Sequence, residues 1–293
     1  MPLSALALVI LAGLIHASWN IAAKHAGGDV RFTAFTSFVM MVFWAPLGVW
    51  VALDELGGWG LVQWAVVFAS SVIHILYFIC LLRGYRKADL TVVYPLARGS
   101  GPLLSSLAAI FILGERITAL GLAGIAGVVS GVFLIAGGPA LLRAGQDPGQ
   151  RERIRKGLRY GLLTGGFIAC YTVVDGYAVK LLAVSPILLE YVSNLFRLGL
   201  LAPVVLRDRP EAAALWRRQW KHAVFVGVVS PISYALVLYA MKVAPLSHVA
   251  PAREISMLFA ALIGGQLLGE GDRRARLLGA ALIAAGVMAL ALG

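Results

Sequence analysis

The chain of 293 residues is 60% hydrophobic and only 13% charged, with a formal net charge of +11. Soluble domains carry about 25% charged residues, and the apolar residues here run in long blocks instead of amphipathic stripes, so a water-soluble globule is excluded. The two cysteines, Cys80 and Cys170, lie inside such blocks without a CxxC neighbour and imply neither a disulfide framework nor a metal site.

Ten apolar segments approach the roughly 17–25 residues that cross a ~30 Å hydrocarbon core as a helix. Leu3–Ala23 lacks the positive leader of a secretory signal and is expected to be a retained span; it carries His16, Trp19 and Asn20. Phe32–Leu53 follows, then Leu61–Leu82, where His74 and Tyr77 share a face near the middle. Leu90–Leu113 holds Pro95 and Arg98 and is followed by Glu115 and Arg116. Ala119–Ala136 carries Gly124 and Gly131. Beyond a polar stretch, Tyr160–Leu182 places Tyr171 and Asp175 four apart, and Ile187–Leu206 places Glu190, Asn194 and Arg197 on one helix face. Ala223–Met241, Ser247–Leu268 with Pro251, Arg253 and Glu254, and Leu277–Leu292 with Gly279 and Gly286 complete the set.

The basicity marks orientation. Nineteen of the 25 Lys and Arg residues fall in alternate loops, while the opposite loops hold only Arg116, Lys180 and Lys242. The positive-inside rule places the basic side in the cytoplasm and both termini outside, and it favours an even number of spans. The charge therefore faces anionic lipid, not nucleic acid.

The segment from Gly137 to Gly157 divides the chain into two five-span halves that repeat. "KADLTVVYPLAR…GER" from Lys87 lines up with "VAPLSHVAPAR…GEG" from Val243. Pro95 falls opposite Pro251 at an offset of 156, and Arg98 opposite Arg253, Glu115 opposite Glu270, Gly124 opposite Gly279 and Gly131 opposite Gly286 at 155. His16 and Asn20 face Tyr171 and Asp175. An odd number of spans per repeat gives the halves opposite orientation, an arrangement that puts a transport site near the midplane at their interface. Pro95 and Pro251 each remove a backbone donor and are expected to kink or unwind their helices, which is tolerated at membrane depth where the chain lines a cavity.

On these residues, and on the Gly-spaced helices "GLAGIAGVVSGVFLIAGG" and "LLGAALIAAGVMALALG", the chain resembles the EamA-type exporters of the drug/metabolite transporter superfamily. The resemblance implies an all-α membrane protein of ten transmembrane helices built as two inverted repeats, residues 1–137 and 159–293, joined by a basic cytoplasmic linker, 138–158. It implies export of a small organic metabolite, amino-acid-like or otherwise anionic, by alternating access across a bacterial inner membrane. No cofactor is implied, and the expected partners are the solute and membrane lipid, with the chain acting as a monomer or homodimer. One departure from symmetry is that Gly271 stands where the first repeat has Arg116.

A charge at the bilayer centre costs at least ~2.5–3.5 kcal/mol on insertion scales, so an embedded ionisable residue has a partner or a purpose. Arg98 and Arg253 are candidates for a solute carboxylate or phosphate, since guanidinium offers a planar fork of donors; alternatively each is neutralised internally, Arg253 by Glu254 or Glu190. Arg197, Asn194, Tyr171, His74, Tyr77, Trp19 and Asn20 are further candidate solute contacts. A Glu190–Arg197 pair bridged by Asn194 is the structural alternative. Asp175 and Glu190 are the proton-coupling candidates. Glu115 and Glu270 are expected to pair with Arg116 or Arg273 at tight turns, and the Gly-spaced spans to pack against neighbours or a partner protomer. No HExxH, GxSxG or P-loop pattern is present, so an enzyme is not expected. A broad drug or cation exporter, or a protein handling lipid head groups, is the alternative to the metabolite exporter.

Overall fold

The computed structural model of the chain describes residues 1–27, 29–88, 90–135, 148–264 and 273–293. Its first half comprises α1 (Leu3–Ala26), α2 (Val30–Phe43), α3 (Ala45–Glu55), α4 (Leu61–Lys87), α5 (Leu90–Phe111) and α6 (Ala119–Ile135). The second comprises α7 (Pro148–Lys180), α8 (Pro186–Arg207), α9 (Arg209–Val243), α10 (Leu246–Ala252), α11 (Ile255–Gly264) and α12 (Arg273–Leu292). Over the described residues, each of the ten expected segments overlaps one helix or one broken pair, α2–α3 or α10–α11. Among the described residues, α1, α4, α7, α8 and α9 are long and apolar enough to cross a membrane alone, and the α2–α3 pair, bent by 68°, makes a sixth. The outward surface carries side chains such as Leu53, Leu61, Phe111 and Ile112, each more than 70% exposed, which suits lipid and not water.

Helices α7 and α9 have 33 and 35 residues. At ~1.5 Å per residue they reach about 50 Å, well beyond the hydrocarbon core, and the surplus is their basic N-terminal ends. α7 starts at Pro148, inside the stretch 138–158 expected to be a linker. A Glu152–Lys156 ion pair of 2.7 Å, one turn apart, accompanies that extra helix.

The halves pack reciprocally. α1 lies on α9 as α7 lies on α4, α5 lies on α7 as α11 lies on α1, and α2 lies on α9 as α4 lies on α8. Each contact is thus returned by its counterpart, as a two-fold axis between the repeats requires. The direction of that axis is fixed where α6 meets α12. A Cβ on Gly124 would lie 2.8 Å from the Gly286 carbonyl oxygen, and one on Gly131 would lie 2.5 Å from that of Gly279. The pairing is antiparallel, although sequence equivalence joins Gly124 with Gly279. Equivalent helices running antiparallel make the repeats inverted. The glycines are consumed by this internal seam. Met1 donates its amine to the Ala291 carbonyl at 2.8 Å, so the first and last helices end on the same face, as an even number of crossings demands.

The ninth span breaks between α10 and α11, two residues beyond Pro251. Pro251 has no N–H for the Ser247 carbonyl; the Ser106 hydroxyl of α5 donates to it instead, at 3.1 Å. Through the break, the N–H groups of Glu254, Ser256 and Met257 bond carbonyls three residues back, at 3.0, 3.2 and 2.8 Å, which tightens the chain to 3₁₀ geometry. α5, by contrast, passes Pro95 as one helix, so the helix is interrupted after Pro251 and not at Pro95.

Pro245 offers no side-chain cap to α10. Glu115 provides it from the other half, accepting from the Leu246 and Ser247 N–H groups at 2.8 Å each and from Lys180 Nζ at 2.8 Å. The local pair expected with Arg116 is replaced by this cross-repeat cap, because unsatisfied N–H groups at a buried helix end attract a carboxylate strongly. Glu270, its sequence counterpart, lies outside the described residues. Burial alone would raise the Glu115 carboxyl, but Lys180 and the two N–H groups hold it below its ordinary value.

Two outcomes follow from this packing. Gly131→Leu forces a side chain onto a backbone oxygen and is expected to cost about 1–3 kcal/mol or more, read as a lower thermal midpoint in detergent; an unchanged midpoint would contradict the seam. Because Glu115 is held ionised by folding, its contribution is complete above the normal carboxylate range and disappears as pH falls through its lowered value. Glu115→Gln should therefore flatten the acid limb of the stability–pH curve.

Candidate functional site

The break between α10 and α11 delivers Arg253 and Glu254 into the centre of the bundle. Glu254, 1% exposed, forms a 2.7 Å ion pair with Arg98 Nη2 from α5 and a longer one, 3.7 Å, with Arg253 Nε. Adjacent residues on a regular helix diverge by about 100°, which argues against a neighbouring pair; the tightened turn here lets Glu254 reach Arg253 loosely while its strong contact crosses to the other repeat. Arg98 Nη2 also donates to Ser256 Oγ at 3.3 Å. The two repeat arginines thus share one carboxylate. Their side chains keep 17% and 12% exposure, while that of Glu254 is sealed at 1%. Arg98 Nε is buried without a partner among the described residues.

Aromatic residues continue the array. Arg253 Nη2 donates to the Tyr171 hydroxyl at 3.3 Å and its guanidinium lies 5.7 Å from that ring's centre. His74 stacks on Tyr171 at 4.1 Å, Tyr77 approaches the same ring at 5.8 Å, and Tyr234 of α9 meets His74 edge-on. The Tyr234 hydroxyl donates to Asp175 Oδ2, and Asp175 is fully buried. His74 Nδ1 bonds the Ser70 carbonyl of its own helix at 2.9 Å, a satisfied histidine. Tyr94 donates to Met257 Sδ at 3.1 Å beside Arg98.

A second ion pair lies on α8, where Arg197 Nη2 contacts Glu190 Oε1 at 2.9 Å without a bridge. Asn194, expected to mediate it, instead donates to the Ser37 carbonyl of α2 at 2.9 Å. Asn20 turns back to the His16 carbonyl at 2.9 Å and is exposed, so it stands apart from the array. Trp19 packs edge-on to His16 at 4.7 Å. Of the candidates named from sequence, the structure joins Arg98, Arg253, Tyr171, His74, Tyr77 and Asp175 in one cluster and Glu190 with Arg197 in another. Sequence reasoning weighed Glu254 only as a neutraliser of Arg253, and overlooked Tyr234, Tyr94 and Met257. The repeat alignment held a signal for Glu254, since Arg98 is followed by Gly99 while Arg253 is followed by an acid.

A sequence profile of the EamA-like transporter family matches residues 3–137 and again 155–292. The chain belongs to the EamA-like transporter family, and with it to the membrane transporters of the drug/metabolite type. One solved structure, described as a crystal structure of a protein, is similar at a TM-score of 0.76 and 18% sequence identity, covering 100% of this chain and 98% of that one. That likeness shows the fold. No curated protein matches the chain.

If Glu254 neutralises both arginines, its removal leaves two uncompensated buried cations. Glu254→Gln is expected to lower stability by about 3–5 kcal/mol, and a double-mutant cycle with Arg98→Met should return a coupling of about 0.5–3 kcal/mol. Additive effects would mean the pair does not interact.

Proposed function

We propose that the chain is a secondary transporter that exports a small organic metabolite bearing a carboxylate or other anionic group, by alternating access, across a bacterial inner membrane with both termini outside. The observation that carries this reading is the count of charges at the break: two guanidiniums, one from each repeat, for a single carboxylate. A solute anion supplies the missing negative charge, and the partnerless Arg98 Nε offers it a donor. Release then requires the two repeats to separate around the array. The cross-repeat Glu115 cap on α10 closes the face opposite the basic loops, and it joins the site directly, because α10 ends at Arg253. Asp175, bonded to Tyr234 in the same cluster, is the group placed to couple a proton.

A cation exporter is the second reading, favoured by the ring of Tyr77, Tyr171, Tyr234 and His74 around Asp175. It makes the opposite demand on charge. Arg253→Ala is expected to reduce uptake of the anionic solute into proteoliposomes by about 30-fold or more, as loss of one partner of a buried charge contact does, while the protein stays folded and inserted. Transport at the wild-type rate by that variant would remove the assignment, and loss of transport in Asp175→Asn alone, with cationic substrates only, would select the second reading. A thermal-shift screen against metabolites identifies the solute, since a ligand of the native state raises the melting temperature by mass action.

A further inference from the structure

A groove of about 340 Å³ opens on the outer surface between α2 of the first repeat and α8 and α9 of the second. It is lined by Ala34, Phe38, Leu198, Ala202, Leu206 and Trp216 among others, all of them apolar. Ala34 and Ala202 have nothing beyond Cβ to fill it, and Phe38 and Leu206 are half-exposed beside it. Its volume is roughly twice that of an engineered apolar cavity of about 150 Å³ that takes up benzene. From Leu198 to Leu206, α8 rises about 12 Å, close to the depth of one leaflet in a ~30 Å hydrocarbon core. One end of the groove is strongly basic. Arg207 follows Leu206 at the end of α8, Arg217 follows Trp216, and Arg209, Arg218 and Lys221 lie on the same stretch of α9, all of them exposed. The acids nearby are already committed. Glu211 and Asp208 pair with Arg31 of α2 at 2.9 and 3.9 Å, and Asp208 also accepts from the Glu211 N–H at 3.2 Å. Among the described residues no carboxylate pairs with the other basic side chains at this end. The positive-inside rule puts this end at the cytoplasmic surface, where anionic head groups attract Lys and Arg.

We propose that this groove is a binding site for one anionic phospholipid of the inner leaflet, its acyl chain lying along α8 over Ala202 and its phosphate held by Arg207 and Arg217. Lipid tails are as apolar as the groove, so packing alone holds the tail and the preference comes from the head group. A zwitterionic lipid carries an ammonium beside its phosphate, which the same arginines repel, and it enters the groove without that gain. Because the groove lies between the repeats, the bound lipid bridges α2 to α8 and α9 next to the Arg31–Glu211 pair.

The test titrates the delipidated full chain in detergent with phosphatidylglycerol or phosphatidylcholine of identical acyl chains and counts bound lipid by native mass spectrometry. The wild type is expected to hold one phosphatidylglycerol at least about tenfold more tightly than phosphatidylcholine, the scale of contact with one or two surface cations. High salt should remove most of that preference. Changing Arg207→Gln together with Arg217→Gln should bring the two lipids to equal affinity, and Ala202→Phe, which fills the groove from α8, should remove the tight site. Should Ala202→Phe fail to fold, Phe38→Ala, at a half-exposed position, widens the groove and should weaken both lipids while keeping their ratio. Equal affinity for the two lipids in the wild type, a preference that survives loss of both arginines, or tight binding untouched by the groove variants would each overturn the site. A dimer that Ala202→Phe dissolves with no effect on lipid would assign the groove to a second copy of the chain instead. Counting lipid reads binding without flux, so the outcome stands apart from which solute the chain moves.

Discussion

The fold turns on one carboxylate serving two guanidiniums. An uncompensated charge in hydrocarbon is prohibitive and a buried pair only breaks even, so an embedded arginine survives where its partner is held in place by the rest of the structure. Glu254 is so held: it sits in a 3₁₀ turn between two helices of the second repeat and reaches an arginine of the first. That contact ties the two repeats together at the centre of the bundle. Its strength is tempered by the sharing. The contact to Arg98 is short and that to Arg253 is long, so Arg253 is the guanidinium with attraction to spare.

Around this centre the backbone is repeatedly interrupted and repeatedly repaired by the opposite half. Pro251 frees the Ser247 carbonyl, and Ser106 takes it. Beside the Pro46 bend, the Tyr191 hydroxyl donates to the Met41 carbonyl. Trp44 donates to the Val228 carbonyl near Pro231, Ser233 to that of Ala12, and Asn194 to that of Ser37. Every one of these bonds crosses from one repeat to the other. In lipid an orphaned carbonyl has no water to turn to, so each break becomes a demand for a polar side chain from a neighbour. The interface is thereby specified by geometry more than by apolar contact, which lipid offers equally well.

Much of this was legible in the sequence, and for physical reasons. Span length is dictated by the bilayer, so the apolar helices of an all-α membrane protein could be read from residue type alone. The inverted repeat could be read because Pro, Arg, Glu and Gly recur in register. What escaped was partner choice across space. Glu115 looked like a mate for adjacent Arg116, and only the fold brings the uncapped end of α10 to it. Asn194 shares a face with Glu190 and Arg197, yet it donates to the Ser37 carbonyl of α2 instead. Prolines were equally ambiguous: Pro251 precedes a break while α5 continues past Pro95.

Several departures from two-fold symmetry gather at the centre of the bundle. The repeats agree where they must pack: at the α6–α12 glycine seam and in the reciprocal contacts of α1, α4, α7 and α9. They differ where the chemistry lies. Gly99 stands opposite Glu254, a continuous α5 opposite the broken α10–α11, and a bent α2–α3 opposite a straight α8. A perfectly symmetric array would offer two equal arginines and either no acid or two, and would have no reason to hold a solute in one orientation. Placing Glu254, the break and the α2–α3 bend in unlike positions gives the interior a polarity that the scaffold lacks. Inverted duplication supplies a scaffold whose halves are equivalent, and the unequal residues at its centre are what make the interior of this chain differ from a perfect two-fold array.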